Sequence, residues 1–189
     1  MSHLTRAPDR ADAFRSLYES AYPDLLRFVQ RRTEPTGAED VVAEAFLVVW
    51  KRFSEAPGNE SDARAWVFGI ARNLLLNARR GEQRRQALGV RLAATTTEFF
   101  SDSHADLVGN RVDLNRAWQL LSEVHQEAMG LAVFENLAAP QAAKVLGISP
   151  VAFRLRLSRA RRALRLLLDH LPPHASETSA ASPEKAATL

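Results

Sequence analysis

A chain of 189 residues, 46% of them apolar, can hold one ordinary domain or two small ones and has enough apolar residues for real cores. Its net charge is only +3, and the absence of cysteine excludes a disulfide framework and a thiolate metal site. No apolar run reaches the roughly 18 residues that a membrane-spanning helix needs, and MSHLTRAPDR lacks the hydrophobic core of a signal peptide, so a cytoplasmic location without membrane insertion is expected.

Helical periodicity dominates, and no run of alternating β-branched residues argues for a sheet; the expected class is all-α. A first helix is expected from about Ala11 to Ala21, with Pro23 restarting or kinking it and Leu25, Leu26, Phe28 and Val29 continuing to Arg32. After the loop TEPTG, residues Ala38 to Phe53 place Val41, Val42, Ala45, Phe46, Val49 and Trp50 on one apolar stripe and Glu39, Asp40, Ala43, Glu44 and Lys51 on the other face. A polar loop, SEAPGNESD, precedes a third helix from Ala63 to Arg85, with Trp66, Val67, Ile70, Ala71, Leu74 and Leu75 inward. Between Arg64 and Arg85 there are six arginines and one acid, Glu82, so the charges are segregated far more than the net figure suggests.

From Gln86 to about Asn110 the composition turns small and polar, which reads as an interdomain linker with a short docked segment at Phe99 and Phe100. A second helical unit begins near Val112, pauses at Ser122 as a cap, and resumes to about Phe134. It leads into NLAAPQAAKVLGISPVAFRLRLSRARRALR. There Pro140 suits a first helical turn, Ala142, Ala143, Val145 and Leu146 form an apolar face, and Gly147 lets the chain leave the helix through φ > 0. Ser149 can cap the next helix and Pro150 pre-sets its first turn; Phe153, Leu157, Ala160 and Leu164 then face inward. Arg154, Arg156, Arg159, Arg161, Arg162 and Arg165 are left for the other faces, the pattern of a helix-turn-helix whose second helix enters the major groove. The tail PPHASETSAASPEKAATL has the composition of disorder. The five histidines show no paired ligand spacing, and no nucleophile, base or metal constellation emerges, so no catalytic residue, metal or cofactor is assigned.

Three segments, FRSLYESAYPDLLRFVQRR, AEDVVAEAFLVVWKRF and ARAWVFGIARNLLLNARR, followed in order by the helix-turn-helix, resemble a bacterial RNA polymerase sigma factor of the extracytoplasmic-function (ECF) group of the sigma-70 family. The resemblance covers about Phe14 to Leu168 and implies two small helical domains on a flexible linker: a region 2-like unit at 1–86, a linker at 87–111, a region 4-like unit at 112–171 and a tail at 172–189. It implies polymerase docking by Glu39, Asp40, Ala43, Glu44 and Leu47, with Ala43 standing where the family usually has Gln. Minus-ten recognition and melting would fall to Arg72, Asn73, Asn77, Arg79 and Arg80, helped by a pocket for a flipped base in the loop Ser54 to Asp62. Minus-thirty-five recognition would fall to Ser149, Pro150, Ala152, Arg154, Leu155, Arg156 and Arg159, where Leu155 and Ala152 replace a small polar residue and a frequent Thr.

The implied partners are core RNA polymerase, through the clamp helices of its largest subunit and the flap of its second-largest subunit, and promoter DNA. An anti-sigma factor is common in the family, although no segment here identifies one. The rival expectation is a helix-turn-helix regulator whose first domain dimerises or senses a ligand. It accounts for the second half of the chain and leaves the acidic and Asn-bearing helices unexplained.

Overall fold

The computed structural model describes residues 9–33, 35–87 and 108–170, and every regular element among them is helical. The elements are α1 (Arg10–Gln30), α2 (Pro35–Lys51), a 3₁₀ turn (Phe53–Glu55), α3 (Glu60–Ala87), α4 (Val108–Leu120), α5 (Glu123–Val133), α6 (Ala139–Leu146) and α7 (Pro150–His170). Most of the linker expected at 87–111, with Phe99 and Phe100, and the tail after His170 lie outside the described residues.

The first unit packs α1, α2 and α3 against one another. In α1, Leu17, Ala21, Leu25, Phe28 and Val29 recur every three or four residues and are all buried. The helix is continuous through Pro23, so the chain does not restart there. Pro23 lies on the exposed side, so only one backbone hydrogen bond is forgone while the buried stripe continues on the other side. In α2 the buried residues are Ala38, Val42, Ala45, Phe46 and Val49. Asn59 starts α3: its Oδ1 accepts the N–H of Asp62 at 2.8 Å while its Nδ2 donates to the Asp62 carboxylate at 3.1 Å.

The second unit follows the expected turn chemistry closely. Gly147 ends α6 in the left-handed region at φ 66°, where a Cβ would be strained. Ser149 Oγ accepts the Ala152 N–H at 3.1 Å, capping α7. Ser122 sits at the N-cap of α5 without a side-chain cap; its carbonyl accepts from His125 and Gln126 instead. Trp118, Leu121, Met129 and Ala160 form the unit's own core, with Leu157, Ala163, Leu164 and Leu167 packed against it.

The two helical units share a second, larger core. Ala128, Leu131, Leu137, Ala142, Ala143, Val145 and Phe153 from the second unit join the buried residues of α1, α2 and α3 in one continuous cluster. One row on α3 explains the fit: Asp62, Ala65, Gly69, Arg72 and Arg79 repeat every three, four or seven residues and face the second unit. Its small members let α6 come close, so that a Cβ on Gly69 would lie 3.9 Å from the Val145 Cα. Periodicity alone did not indicate this packing, because it reports that a face is buried and not what covers it.

Candidate nucleic-acid interface

Along α3 the structure divides the five residues expected to meet the minus-ten element between two faces. Asn73, Asn77 and Arg80, spaced four and three apart, form an exposed row open to solvent, and Arg84 extends it. Each amide there can donate to and accept from a base edge. Arg72 and Arg79, seven apart, lie on the row turned toward α5. The Arg72 guanidinium holds the Glu127 carboxylate in a forked pair at 2.5 and 3.1 Å, and Arg79 holds Glu123 at 3.0 and 3.4 Å. The first pair is mostly buried, at 20% and 26% side-chain exposure; the second is open, at 63% and 77%.

The α5–α6 connection carries the most buried charged side chain among the described residues. Glu135, 1% exposed, is held between Arg31 Nη2 at 2.6 Å and Arg32 Nη1 at 3.6 Å, while its backbone carbonyl accepts from Arg64 Nη1 at 2.9 Å. Asn136, at φ 49°, turns the chain so that Leu137 follows it into the core. Burial pushes the Glu135 carboxyl above its usual range despite the arginines, and burial together with the charge of Arg31 brings Arg32 down to about 10 against the pull of Glu135. Further along, Asp62 accepts from Lys144 Nζ at 2.7 Å and Gln141 Nε2 at 3.1 Å, and the hydrogen bonds from Lys144 and Asn59 hold its carboxyl below the usual range.

On α7 the sequence-expected residues stand at the surface: Ser149, Pro150, Ala152, Arg154, Leu155 and Arg159 are exposed, and Arg156 is half-buried. The capped first turn presents them from a fixed helix end, with Phe153 and Ala160 anchoring the opposite side. Arg161, Arg162 and Arg165 line the same open cleft as Arg154, Leu157 and Ser158. Six arginines on α7, five of them exposed and none in an ion pair among the described residues, suit a polyanion.

On α2, Glu39, Asp40, Ala43, Glu44 and Leu47 are all exposed, forming an acidic face with an apolar end. Trp50 departs from its expected core position. It is 41% exposed beside Leu47, packs edge-on to Phe14 at 5.0 Å, and lies under the Arg10 guanidinium at 4.9 Å. With Phe14, Tyr18 and Arg15 it lines an aromatic cleft between α1 and α2. Trp118 is buried in the core of the second unit, and Trp66 is partly buried. Among the described residues no helix is long and apolar enough to cross a membrane, and no group of three or more His, Cys, Asp or Glu side chains could hold a metal ion.

An all-helical chain in which a helix-turn-helix is packed on a bundle with a basic, Asn-bearing surface helix belongs to the class of DNA-directed transcription proteins. The Sigma-70 region 2 family profile matches residues 17–85. The chain is 31% identical over 166 residues to the ECF RNA polymerase sigma factor SigL of Mycobacterium tuberculosis, covering 87% of this chain and 94% of the relative. It is 26% identical over 161 residues to SigK of Mycobacterium bovis, covering 83% and 86%. Its fold resembles that of the sigma factor RpoE in complex with the anti-sigma factor NepR from Bartonella quintana, with a TM-score of 0.63, 23% identity and coverage of 84% and 98%. It also resembles CnrH in complex with the cytosolic domain of CnrY, with a TM-score of 0.54, 24% identity and coverage of 83% and 88%. The chain belongs to the ECF RNA polymerase sigma factors and directs transcription initiation.

Proposed function

We propose that this sigma factor reads a promoter in two places with residues from separate units. The region 2-like unit, residues 1–86, docks on the polymerase clamp helices through Glu39, Asp40, Ala43, Glu44 and Leu47. It captures unpaired minus-ten bases with Asn73 and Asn77, while Arg72, Arg79 and Arg80 neutralise phosphates. The region 4-like unit, residues 112–171, contacts the polymerase flap and reads duplex DNA at minus thirty-five. Ser149, Pro150 and Ala152 present the helix end, while Arg154, Leu155, Arg156 and Arg159 face bases or adjacent phosphates. Residues 87–111 tether the units, and 172–189 form a tail.

The observation that best supports this reading is the pair of solvent-facing rows on helices of different units: Asn73, Asn77 and Arg80 on α3, and Arg154, Leu155 and Arg159 on α7. Polymerase supplies the phosphodiester chemistry, and the chain supplies position and strand capture. Both fold relatives named above are in complex with a partner, RpoE with the anti-sigma factor NepR and CnrH with the cytosolic domain of CnrY. An anti-sigma factor is part of the proposal for this chain as well.

Transcription in vitro with core polymerase and a randomised promoter library tests the reading directly. Enrichment of two separated sequence blocks, with the upstream block lost in Arg154→Ala and the downstream block lost in Asn73→Ala, is the expected result. A single enriched block, or initiation independent of this chain, defeats it.

A further inference from the structure

On α1 and at the end of α2, exposed arginines find carboxylates close by in the chain. Arg15 meets Asp12, Arg27 meets Asp24 and Arg52 meets Glu55, each three residues away, which is the arrangement of a solvated helix face. The helix α7 departs from it. From Pro150 to Leu168 there are six arginines and no acid, and among the described residues none of the six is in an ion pair. Arg162 stands three residues from both Arg159 and Arg165, and Arg161 stands four from Arg165, so the free helix sets like charges against one another. Arg154, Ser158, Arg161 and Arg165 follow at intervals of four, three and four along one stripe, and with Arg162 beside them they line an open cleft over Leu157. At a rise of 1.5 Å per residue that stripe is about 16 Å long.

We infer that Arg161, Arg162 and Arg165, with Ser158, form a second DNA contact on α7: a clamp on the phosphate backbone that holds duplex without regard to sequence, beyond the turns that read bases. This rests on the reading of α7 as the helix that meets duplex DNA. A helix that enters the major groove reads base edges with its N-terminal residues. With 21 residues α7 is about 31 Å long, against a groove about 12 Å wide that curves away from a straight helix, so its later turns lie against sugar and phosphate. Phosphates suit these residues in charge, because each one neutralised releases condensed counterions and relieves the repulsion between neighbouring arginines. The Ser158 hydroxyl adds a donor between Arg154 and Arg161. The two tasks are thereby divided along one helix. Arg154, Leu155, Arg156 and Arg159 set which duplex is preferred, and the clamp sets how tightly any duplex is held and how steeply that hold falls with salt.

The test uses the full-length chain and two fluorescent duplexes of about 30 base pairs, one carrying the upstream block enriched from the randomised library and one with that block scrambled, between about 50 and 200 mM salt. The triple variant Arg161→Gln, Arg162→Gln, Arg165→Gln keeps good helix formers at exposed positions and breaks no ion pair, so its melting temperature should not fall. It should weaken binding to both duplexes by the same factor. Its slope of log affinity against log salt should be shallower by about 2 to 3, so that the parent loses about 40-fold more affinity than the variant across that salt range. The triple variant Arg161→Lys, Arg162→Lys, Arg165→Lys should regain the parent's slope, because a point charge serves for phosphate whereas a forked base contact needs arginine. Arg154→Ala is the reference and should narrow the preference between the duplexes. If it does so while the glutamine variant leaves affinity and slope unchanged, the clamp is refuted and the reading turns stand. A glutamine variant that alters the preference between the duplexes also refutes it, since the three arginines would then read sequence. If Arg154→Ala leaves the preference unchanged while the glutamine variant still flattens the slope, the assignment of the reading turns fails and the clamp stands. A parent chain that binds neither duplex overturns both.

Discussion

Gly69 offers a sharp test of how the two units are joined, because two substitutions there should have opposite consequences. It sits inside α3, where glycine costs roughly 1 kcal/mol relative to alanine. A Cβ would lie 3.9 Å from the Val145 Cα, an ordinary contact, so Gly69→Ala should recover that propensity without displacing α6. For a chain of this size about 1 kcal/mol raises Tm by about 2 to 4 °C. Gly69→Leu recovers nearly the same propensity but adds four carbons, three of them beyond a Cβ that already reaches contact distance of Val145. Overpacking of this kind costs about 1 to 3 kcal/mol, and here the cost exists only while α6 is against α3. The packed-to-open ratio should therefore fall by about 5- to 150-fold. Donor and acceptor dyes on Lys51→Cys and Gln119→Cys, both exposed positions in an otherwise cysteine-free chain, report the separation. Leucine should lower energy transfer and alanine should not. If the two variants behave alike in melting and in energy transfer, α6 does not pack on α3 as described.

Asp40→Lys should reduce association with core polymerase in a pull-down while duplex binding through α7 is kept, because it reverses one charge on an exposed acidic face. Ser149→Ala removes the oxygen that accepts the Ala152 N–H and should cost about 1 kcal/mol, read as a lower melting temperature and weaker duplex binding. Arg154→Ala should cost about 1 to 3 kcal/mol at one base position if its contact is forked; equal loss on every sequence would reduce it to a phosphate contact. Two carboxylates should give opposite pH slopes in melting experiments. Asp62, held low by hydrogen bonds from Lys144 and Asn59, contributes stability that is present above the ordinary carboxylate pKa and is lost as pH falls through its lowered value, so Asp62→Asn should flatten the acid side. Glu135, raised by burial, contributes stability that is full below the ordinary value of 4.5 and declines as pH rises through its raised one, so Glu135→Gln should flatten that decline.

The helices themselves were legible because their buried residues repeat with the helix: Leu17, Ala21, Leu25 and Phe28 in α1, Phe153 and Ala160 in α7. The turn was legible because Gly147 and Ser149 each perform a backbone task that few other residues can. Pro23 does not restart α1 because the continuous buried stripe on the opposite side outweighs the local rule. Trp50 misled because its spacing fits the apolar stripe, while its size leaves part of the ring outside beside Arg10. The contacts between units left no local trace. Arg31 meets Glu135 across 104 positions, Arg64 meets the same residue across 71, and Arg72 meets Glu127 across 55. Nothing in the spacing of an arginine says whether a carboxylate, a phosphate or water will face it, so the candidate DNA residues could be named from the sequence, but their partners in the packed chain could not.

That ambiguity has a physical consequence for the two arginines that face α5. Arg79 and Glu123 are both mostly exposed, so their attraction is weak and is screened within a Debye length of about 8 Å at physiological salt. A passing phosphate can displace Glu123 without any movement of α5. Arg72 and Glu127 are largely shielded, their pair is forked, and breaking it while the units remain packed would strand a buried charge. Arg72 therefore becomes available only when α5 moves as a body, and α5 is tied through Leu131 and Leu137 to a core that salt does not loosen. The outer arginine answers to ionic strength and the inner one to the separation of the units, so raising salt should erase the contribution of Arg79 to DNA binding well before it exposes Arg72.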